Sequence, residues 1–123
     1  MILGIGIDVV HVSRLKRWQN IPGLFERFFH PDELKAAKSR GEMGILSLSA
    51  RFAAKEALGK ALGVGLRGMA LQDISVMNSN SGKPVMYLYR TARRAFRSFG
   101  GKHIFISLSH EKENALAVVV IED

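Results

Sequence analysis

The longest helical pattern in the sequence runs from Leu46 to Leu62 and ends at Gly63. A chain of 123 residues has room for one such helix, a few shorter elements and a modest core. Five apolar or alternating segments, bounded by turn residues, have the length of strands. These segments are Ile2–Val10, Leu71–Met77, Pro84–Leu88, His103–Ser109 and Ala115–Ile121. We therefore predict an α+β fold in a single domain, residues 1–123, with a small, mainly antiparallel sheet packed on the long helix.

Shorter helical segments lie between these elements. They are predicted at 12–19, at 24–29, after Pro31, and from residue 89 or 90 to Phe99. Ser47 or Ser49 is the predicted cap at the start of the long helix, because serine oxygens accept hydrogen bonds from free helical N–H groups.

The charge balance narrows the choice of partners. The chain has 18 Lys and Arg against 11 Asp and Glu, a net charge of +7, which favours a polyanionic partner. The lack of cysteine excludes disulfides and thiolate metal sites. Asp8 interrupts the apolar N-terminus early, so we predict neither a signal peptide nor a membrane span. We expect a cytoplasmic protein.

The long helix contains the segment RFAAKEALGKALG, which begins at Arg51. At 3.6 residues per turn, Phe52, Glu56 and Lys60 share one face. One interpretation is an exposed Glu56–Lys60 ion pair, which would add only about 0.2–0.5 kcal/mol to the helix. Gly59 favours a more specific interpretation. Glycine inside a helix costs about 1 kcal/mol relative to alanine, so it often marks close approach by another backbone or a ligand.

Asp8 ends an otherwise apolar strand pattern. Its carboxylate must reach solvent, a partner or a metal, because an unpaired buried charge is costly. It could instead cap the helix that follows. Mg²⁺ typically takes one or two protein carboxylates and completes its shell with water and phosphate oxygens, so Asp8 and Glu56 together would suffice.

Two further segments carry polar groups that suit a binding site. His110 follows a predicted strand, and a single histidine can be structural or functional. The turn Ser81–Pro84 contains Gly and Lys but lacks the remaining residues of a phosphate-binding P-loop. A simple tight turn is the alternative.

In combination, these segments resemble the 4′-phosphopantetheinyl transferase family, in its small branch that modifies acyl carrier proteins. The resemblance spans nearly the whole chain in family order and is specific as a set. It is carried by GIGIDVVHVSR at Gly4–Arg14, spacing like FxxxEL at Phe29–Leu34, RFAAKEALGKALG at Arg51–Gly63, the SGKP turn, and SLSHEKENALAVVVIE at Ser107–Glu122.

The resemblance implies a reaction and a set of site residues. The expected enzyme moves the 4′-phosphopantetheine arm of coenzyme A onto a serine of an acyl carrier protein, with Mg²⁺ held by Asp8 and Glu56. Glu56 and Lys60 are the implied catalytic residues. Implied coenzyme A contacts are Arg51, Lys55, Lys60, Gly63, Lys83, Pro84, Ser109 and His110. Family members assemble as trimers with sites between subunits, so a homotrimer is also implied.

The carrier protein requires a basic docking surface, because carrier proteins are acidic. Residues 11–40 hold seven Lys and Arg against three acidic residues. Arg14 belongs to the first family block and resembles the carrier-contacting arginine. Arg17, Phe25 and Arg27 are further predicted docking residues.

A small nucleic-acid-binding module is the main alternative. Arg90, Arg93, Arg94 and Arg97 form a basic stripe on one predicted helix. No helix-turn-helix, RNP-like strand pair or zinc knuckle accompanies it, so we predict no nucleic-acid partner and no membrane partner. A purely structural domain that binds another protein through its basic face is the third possibility, and it leaves Asp8, Glu56 and His110 without a role.

Overall fold

The computed structural model describes residues 1–123 and contains five strands and five α-helices. In chain order they are β1 (Ile2–His11), α1 (Val12–Trp18), α2 (Leu24–Phe28), α3 (Pro31–Lys38), α4 (Gly44–Leu62), β2 (Ile74–Asn78), β3 (Pro84–Leu88), α5 (Arg90–Ser98), β4 (His103–Glu111) and β5 (Asn114–Glu122). Short 3₁₀ turns occupy 41–43 and 71–73. The α+β prediction is confirmed.

The strands form two separate antiparallel sheets, whereas the sequence predicted one. The larger sheet has the order β1-β5-β4, and β2 and β3 form a hairpin of their own. The central strand β5 turns Ala115, Ala117, Val119 and Ile121 inward, and all four are fully buried. This alternation gives the larger sheet an inner face that packs on α4.

Helix α4 crosses the larger sheet at unusually short range. A Cβ atom on Gly4 would collide with the carbonyl of Ala61, and one on Gly6 with the carbonyl of Ala57. The two glycines of β1 and the alanines of α4 therefore let strand and helix backbones touch. Asp8 follows Gly6 on the same inner face of β1, so this packing brings it to α4.

Two local predictions were wrong. Helix α4 begins at Gly44, and its N-cap residue Met43 makes no side-chain hydrogen bond. Ser47 and Ser49 lie inside the helix, and Ser49 donates to the carbonyl of Ile45. Residues 71–73, predicted as strand, form a 3₁₀ turn before β2.

None of the helices combines the length and the apolar character that crossing a bilayer requires.

Candidate active site

Asp8 and Glu56 form the centre of the candidate site. Asp8 is almost buried, and its Oδ1 accepts a hydrogen bond of 2.8 Å from Lys60 Nζ. Its Oδ2 is buried without a hydrogen-bond partner. Burial, and then the neighbouring Asp8 carboxylate, raise the pKa of Glu56 to about 7, while Arg14 and Lys60 act in the opposite direction. Two carboxylates share this site, and one of them holds its proton near neutral pH.

An unpartnered buried carboxylate oxygen needs either a proton donor or a cation. A protonated Glu56 would supply the proton, and a divalent cation between Asp8 and Glu56 would replace it. Oxygen donors of this kind suit Mg²⁺, which needs only one or two protein carboxylates. The chain holds no group of three or more metal-ligating side chains, so a cation here would take its remaining ligands from water or substrate. The residues therefore fit Mg²⁺.

Lys60 is tied to β1 rather than to its helical neighbour. Its ammonium donates to Asp8 Oδ1 and to the carbonyl of Ile7 at 3.1 Å, and the hydrogen bond to Asp8 raises the pKa of Lys60. The interpretation of Lys60 as half of an exposed Glu56–Lys60 pair was therefore wrong. The side chain remains 55% exposed, so a ligand at the two carboxylates would lie within its reach.

Arg14 lies in this cluster, although the sequence predicted it as a docking residue. Its guanidinium lies 3.8 Å from Glu56 Oε1. It also lies over the rings of Trp18 and Phe52, at 5.0 and 5.7 Å from their centroids. These contacts hold the Arg14 guanidinium, which extends from the first turn of α1, beside the two carboxylates.

A second cluster of predicted residues lines a cavity of about 230 Å³. Arg51, Pro84 and His110 come together here from α4, β3 and β4. The guanidinium of Arg51 donates to the carbonyl of Val76 at 2.8 Å and to Ser47, and burial lowers its pKa. Several polar residues that line the cavity were not predicted from the sequence, among them Arg40, Ser47 and Asn78. Their proximity in sequence to Arg51 and the SGKP turn was the only available signal.

The structure gives Lys55 a different position from the one predicted. Its side chain has no exposed surface, and its ammonium donates to Glu33 Oε1 at 2.6 Å. The same ammonium donates to the backbone carbonyls of Phe28, Leu71 and Ile74 at 2.8 to 3.0 Å. Burial lowers the pKa of Lys55, and Glu33 opposes that shift. Because no surface remains for a phosphate, the prediction that Lys55 contacts coenzyme A was wrong.

The remaining predicted coenzyme A contacts lie outside both clusters. Lys83 is exposed in the turn between β2 and β3. Ser109 precedes His110 on β4 and so points to the opposite side of the strand. Gly63 caps the end of α4 with a left-handed φ of 78°. These residues do not line the cavity that Arg51 and His110 share.

The other predicted docking residues lie on α1 and α2. Arg17 and Arg27 are exposed on these helices. Phe25 is half-buried and lines an apolar cavity of about 350 Å³ between α2, α3 and α4. Leu34, Ile45 and Leu48 contribute the facing apolar surface.

Comparison with known proteins identifies the class of enzyme. The family model of the 4′-phosphopantetheinyl transferase superfamily matches residues 4–119. The chain belongs to this superfamily, which confirms the predicted family and the prediction of a transferase.

Full-length relatives narrow the similarity further. The chain is 52% identical over 122 residues to a holo-[acyl-carrier-protein] synthase of Treponema denticola, covering 99% of each chain. It is similar to the crystal structure of the holo-[acyl-carrier-protein] synthase of Neisseria meningitidis, with a TM-score of 0.90, 32% identity and complete coverage of both chains. It also matches the Bacillus anthracis holo-(acyl-carrier-protein) synthase in complex with CoA (3′,5′-ADP), at a TM-score of 0.82 and 33% identity, covering 98% of this chain and 96% of that one.

Proposed function

We propose that this enzyme transfers the 4′-phosphopantetheine group from coenzyme A to a serine of apo-acyl carrier protein and releases 3′,5′-ADP. The observation that carries the proposal is the Asp8–Glu56 carboxylate pair flanked by Lys60 and Arg14. The names of the relatives and the coenzyme A complex of the Bacillus anthracis protein support the two substrates. The reaction supplies holo-carrier protein for fatty acid biosynthesis in the cytoplasm.

Asp8 and Glu56 are the residues that would hold Mg²⁺. When bound, Mg²⁺ neutralises charge on the pyrophosphate of coenzyme A. The unpartnered Oδ2 of Asp8 supports this role, because it is an oxygen that the folded chain leaves available.

Glu56 is the proposed base. Its ionised carboxylate can accept the serine proton at Oε as the hydroxyl oxygen attacks phosphorus. The bond from that phosphorus to the 3′,5′-ADP oxygen breaks, and the adjacent Lys60 ammonium stabilises the departing negative charge. Arg14 keeps a positive charge beside Glu56 and favours its ionised form.

The nucleotide end of coenzyme A is assigned to the cavity lined by Arg51, Pro84 and His110. This cavity has a basic wall and a flat apolar contribution from Pro84, which suits a phosphorylated nucleoside. Lys83, Ser109 and Gly63, which lie outside this cavity, remain proposed contacts of coenzyme A.

A homotrimer with sites between subunits accounts for two features of one chain. Arg51 and Glu56 are five residues apart on α4, so their side chains lie about 140° apart around the helix axis. A second copy could present its Arg51–His110 cavity to the first copy's Asp8 and Glu56. The outer face of β1 also exposes Ile5, Ile7 and Val9 at 62%, 54% and 55%. An apolar surface of this kind is typical of a subunit interface.

Carrier docking is proposed on the basic surface of α1 and α2. Arg17 and Arg27 are exposed there, and Phe25 offers an apolar contact beside them. An acidic carrier domain would be attracted to this surface, and Arg14 connects it to the carboxylate pair.

The decisive experiment is the intact mass of an apo-acyl carrier protein after incubation with this protein, coenzyme A and Mg²⁺. We expect a gain of one phosphopantetheine, abolished by EDTA and by Glu56→Gln. Glu111→Gln, at the exposed end of β4, is the matched control and should leave the gain intact. Absence of any gain across several folded carrier proteins would overturn the proposal.

A further inference from the structure

A cleft remote from the carboxylate pair lies between β3, α5 and the start of β4. It has a volume of about 560 Å³ and is lined by Met86, Leu88, Arg93, Phe96, Arg97, Gly101, Lys102 and Ile104. It shares no residue with the cavity lined by Arg51 and His110. Ile104 and His110 are six residues apart on β4, about 20 Å along an extended strand. The cleft is therefore separate from the proposed transferase site, and its volume lies within the range of small-molecule pockets.

The rim of the cleft is positively charged, and its cations form no ion pairs. Arg93, Arg97 and Lys102 are exposed, and none of them forms an ion pair in the structure. No acidic residue lines the cleft. Three cations that line one concavity without an ion pair favour an anionic ligand.

The charges on helix α5 disfavour the helix electrostatically. Its nine residues include four arginines and no acidic residue, and its first residue, Arg90, lies at the positive end of the helix dipole. Arg93 and Arg97 are four residues apart on the face that lines the cleft, a spacing at which like charges destabilise a helix. A bound anion between them would convert this repulsion into two favourable contacts.

The floor of the cleft is apolar. Met86 is 9% exposed, and Leu88, Phe96 and Ile104 are half-buried. The ring of Phe96 packs against Gly101 so closely that a Cβ atom at Gly101 would overlap it. Arg93, Phe96 and Arg97 all line the cleft, so the helix presents the ring and both guanidinium groups to the same concavity.

We propose that this cleft binds an amphipathic organic anion, specifically a phosphate monoester carried on a short apolar chain. The two guanidinium groups and the ammonium match the two charges and three oxygens of a phosphate monoester, and the apolar floor accommodates the chain. Nucleic acid is the less favoured ligand, because Arg90 and Arg94 do not line the cleft and a strand would need a flat or extended basic surface. The proposal does not depend on the transferase activity.

The test is calorimetric titration of the intact protein with n-octyl phosphate at fixed ionic strength, in EDTA. We expect saturable binding that is about tenfold or more weaker in Arg93→Glu/Arg97→Glu, because each charge-assisted contact contributes on the scale of a tenfold change. Arg94→Glu changes the same charge on the same helix outside the cleft and should alter the affinity less than about twofold. Arg93→Gln/Arg97→Gln, which adds no new charge, replaces the double variant if that variant unfolds.

Two comparison ligands complete the test. Inorganic phosphate should bind about tenfold or more weakly than n-octyl phosphate, since it makes no use of the apolar floor. Sedimentation with vesicles that contain phosphatidic acid separates a membrane source of the same headgroup from a free ligand. No binding of n-octyl phosphate, equal loss in Arg94→Glu, or tighter binding of a short oligonucleotide would each overturn the proposal.

Discussion

Glu56→Gln replaces a carboxyl group whose ionised form is disfavoured in the folded protein. Burial and the adjacent Asp8 raise the pKa of Glu56 to about 7, so the folded protein binds this proton more tightly than the unfolded chain does. Such a group carries no cost below the unfolded pKa of 4.5, where it is protonated in both states. The cost grows as the pH rises from 4.5 to about 7 and is complete above it. Glutamine resembles the protonated form and avoids this cost.

The magnitude follows from the difference between the two pKa values. A rise from 4.5 to about 7 corresponds to about 3 kcal/mol at about 1.4 kcal/mol per pH unit. The Glu56 side chain is 21% exposed, and solvent screening reduces the expected effect to about 1–3 kcal/mol. We therefore expect the glutamine variant to be more stable than the parent protein at pH 8 and equally stable at pH 4.5, while its turnover falls by orders of magnitude.

Urea unfolding in EDTA at both pH values, at one protein concentration, measures this difference. The fixed concentration matters because the proposed subunit association would contribute to apparent stability. Glu111→Gln, at the exposed end of β4, should change neither value by more than about 0.5 kcal/mol. A glutamine variant that gains nothing at pH 8, or gains equally at pH 4.5, would refute the electrostatic reasoning.

Three further outcomes are expected. In steady-state assays, Arg17→Glu/Arg27→Glu should raise the KM for the carrier protein and leave the KM for coenzyme A unchanged. Arg14→Glu should also lower kcat, because Arg14 contacts Glu56. An equal rise in KM for both substrates would indicate general damage to the fold. In calorimetric titrations, Mg²⁺ affinity should rise with pH up to about 7 and level off above it, because binding displaces the Glu56 proton, and a flat profile would exclude Glu56 as a ligand. Ile7→Asp should convert a trimer to a smaller species in size-exclusion chromatography, and an unchanged elution volume would place the interface elsewhere.

The sequence predicted the strands and helices well because their patterns are local. Alternation of buried and exposed residues defines β5, and glycines end α4, so the predicted bounds of these two elements differ from the structure by at most two residues. The predicted start of α4 was wrong because a tertiary contact determines where this helix begins. Gly44 lies so close to the carbonyl of Ala37 that a Cβ would not fit, and this contact with α3 is invisible in local sequence.

Proximity of Asp8 and Glu56 could be inferred only from the family resemblance. They are 48 residues apart, and their contact rests on the fit of Gly4 and Gly6 against the α4 backbone. Gly59 was a better local signal. Its predicted close approach is confirmed, because a Cβ there would meet the carbonyl of Gly65, and Gly59 itself accepts hydrogen bonds from the N–H groups of Val64 and Gly65.

Lys55 shows why residue type alone misassigned a role. Lys55 and Glu56 are neighbours in sequence but lie about 100° apart around α4, so one faces the core and the other faces Asp8. Lys55→Met would leave Glu33 charged and buried without its partner, and would remove the donor to three carbonyls. Breaking a buried pair in this way costs about 3–5 kcal/mol, which urea unfolding at pH 7 would measure. A variant that kept its stability would refute this account of the buried Lys55–Glu33 pair.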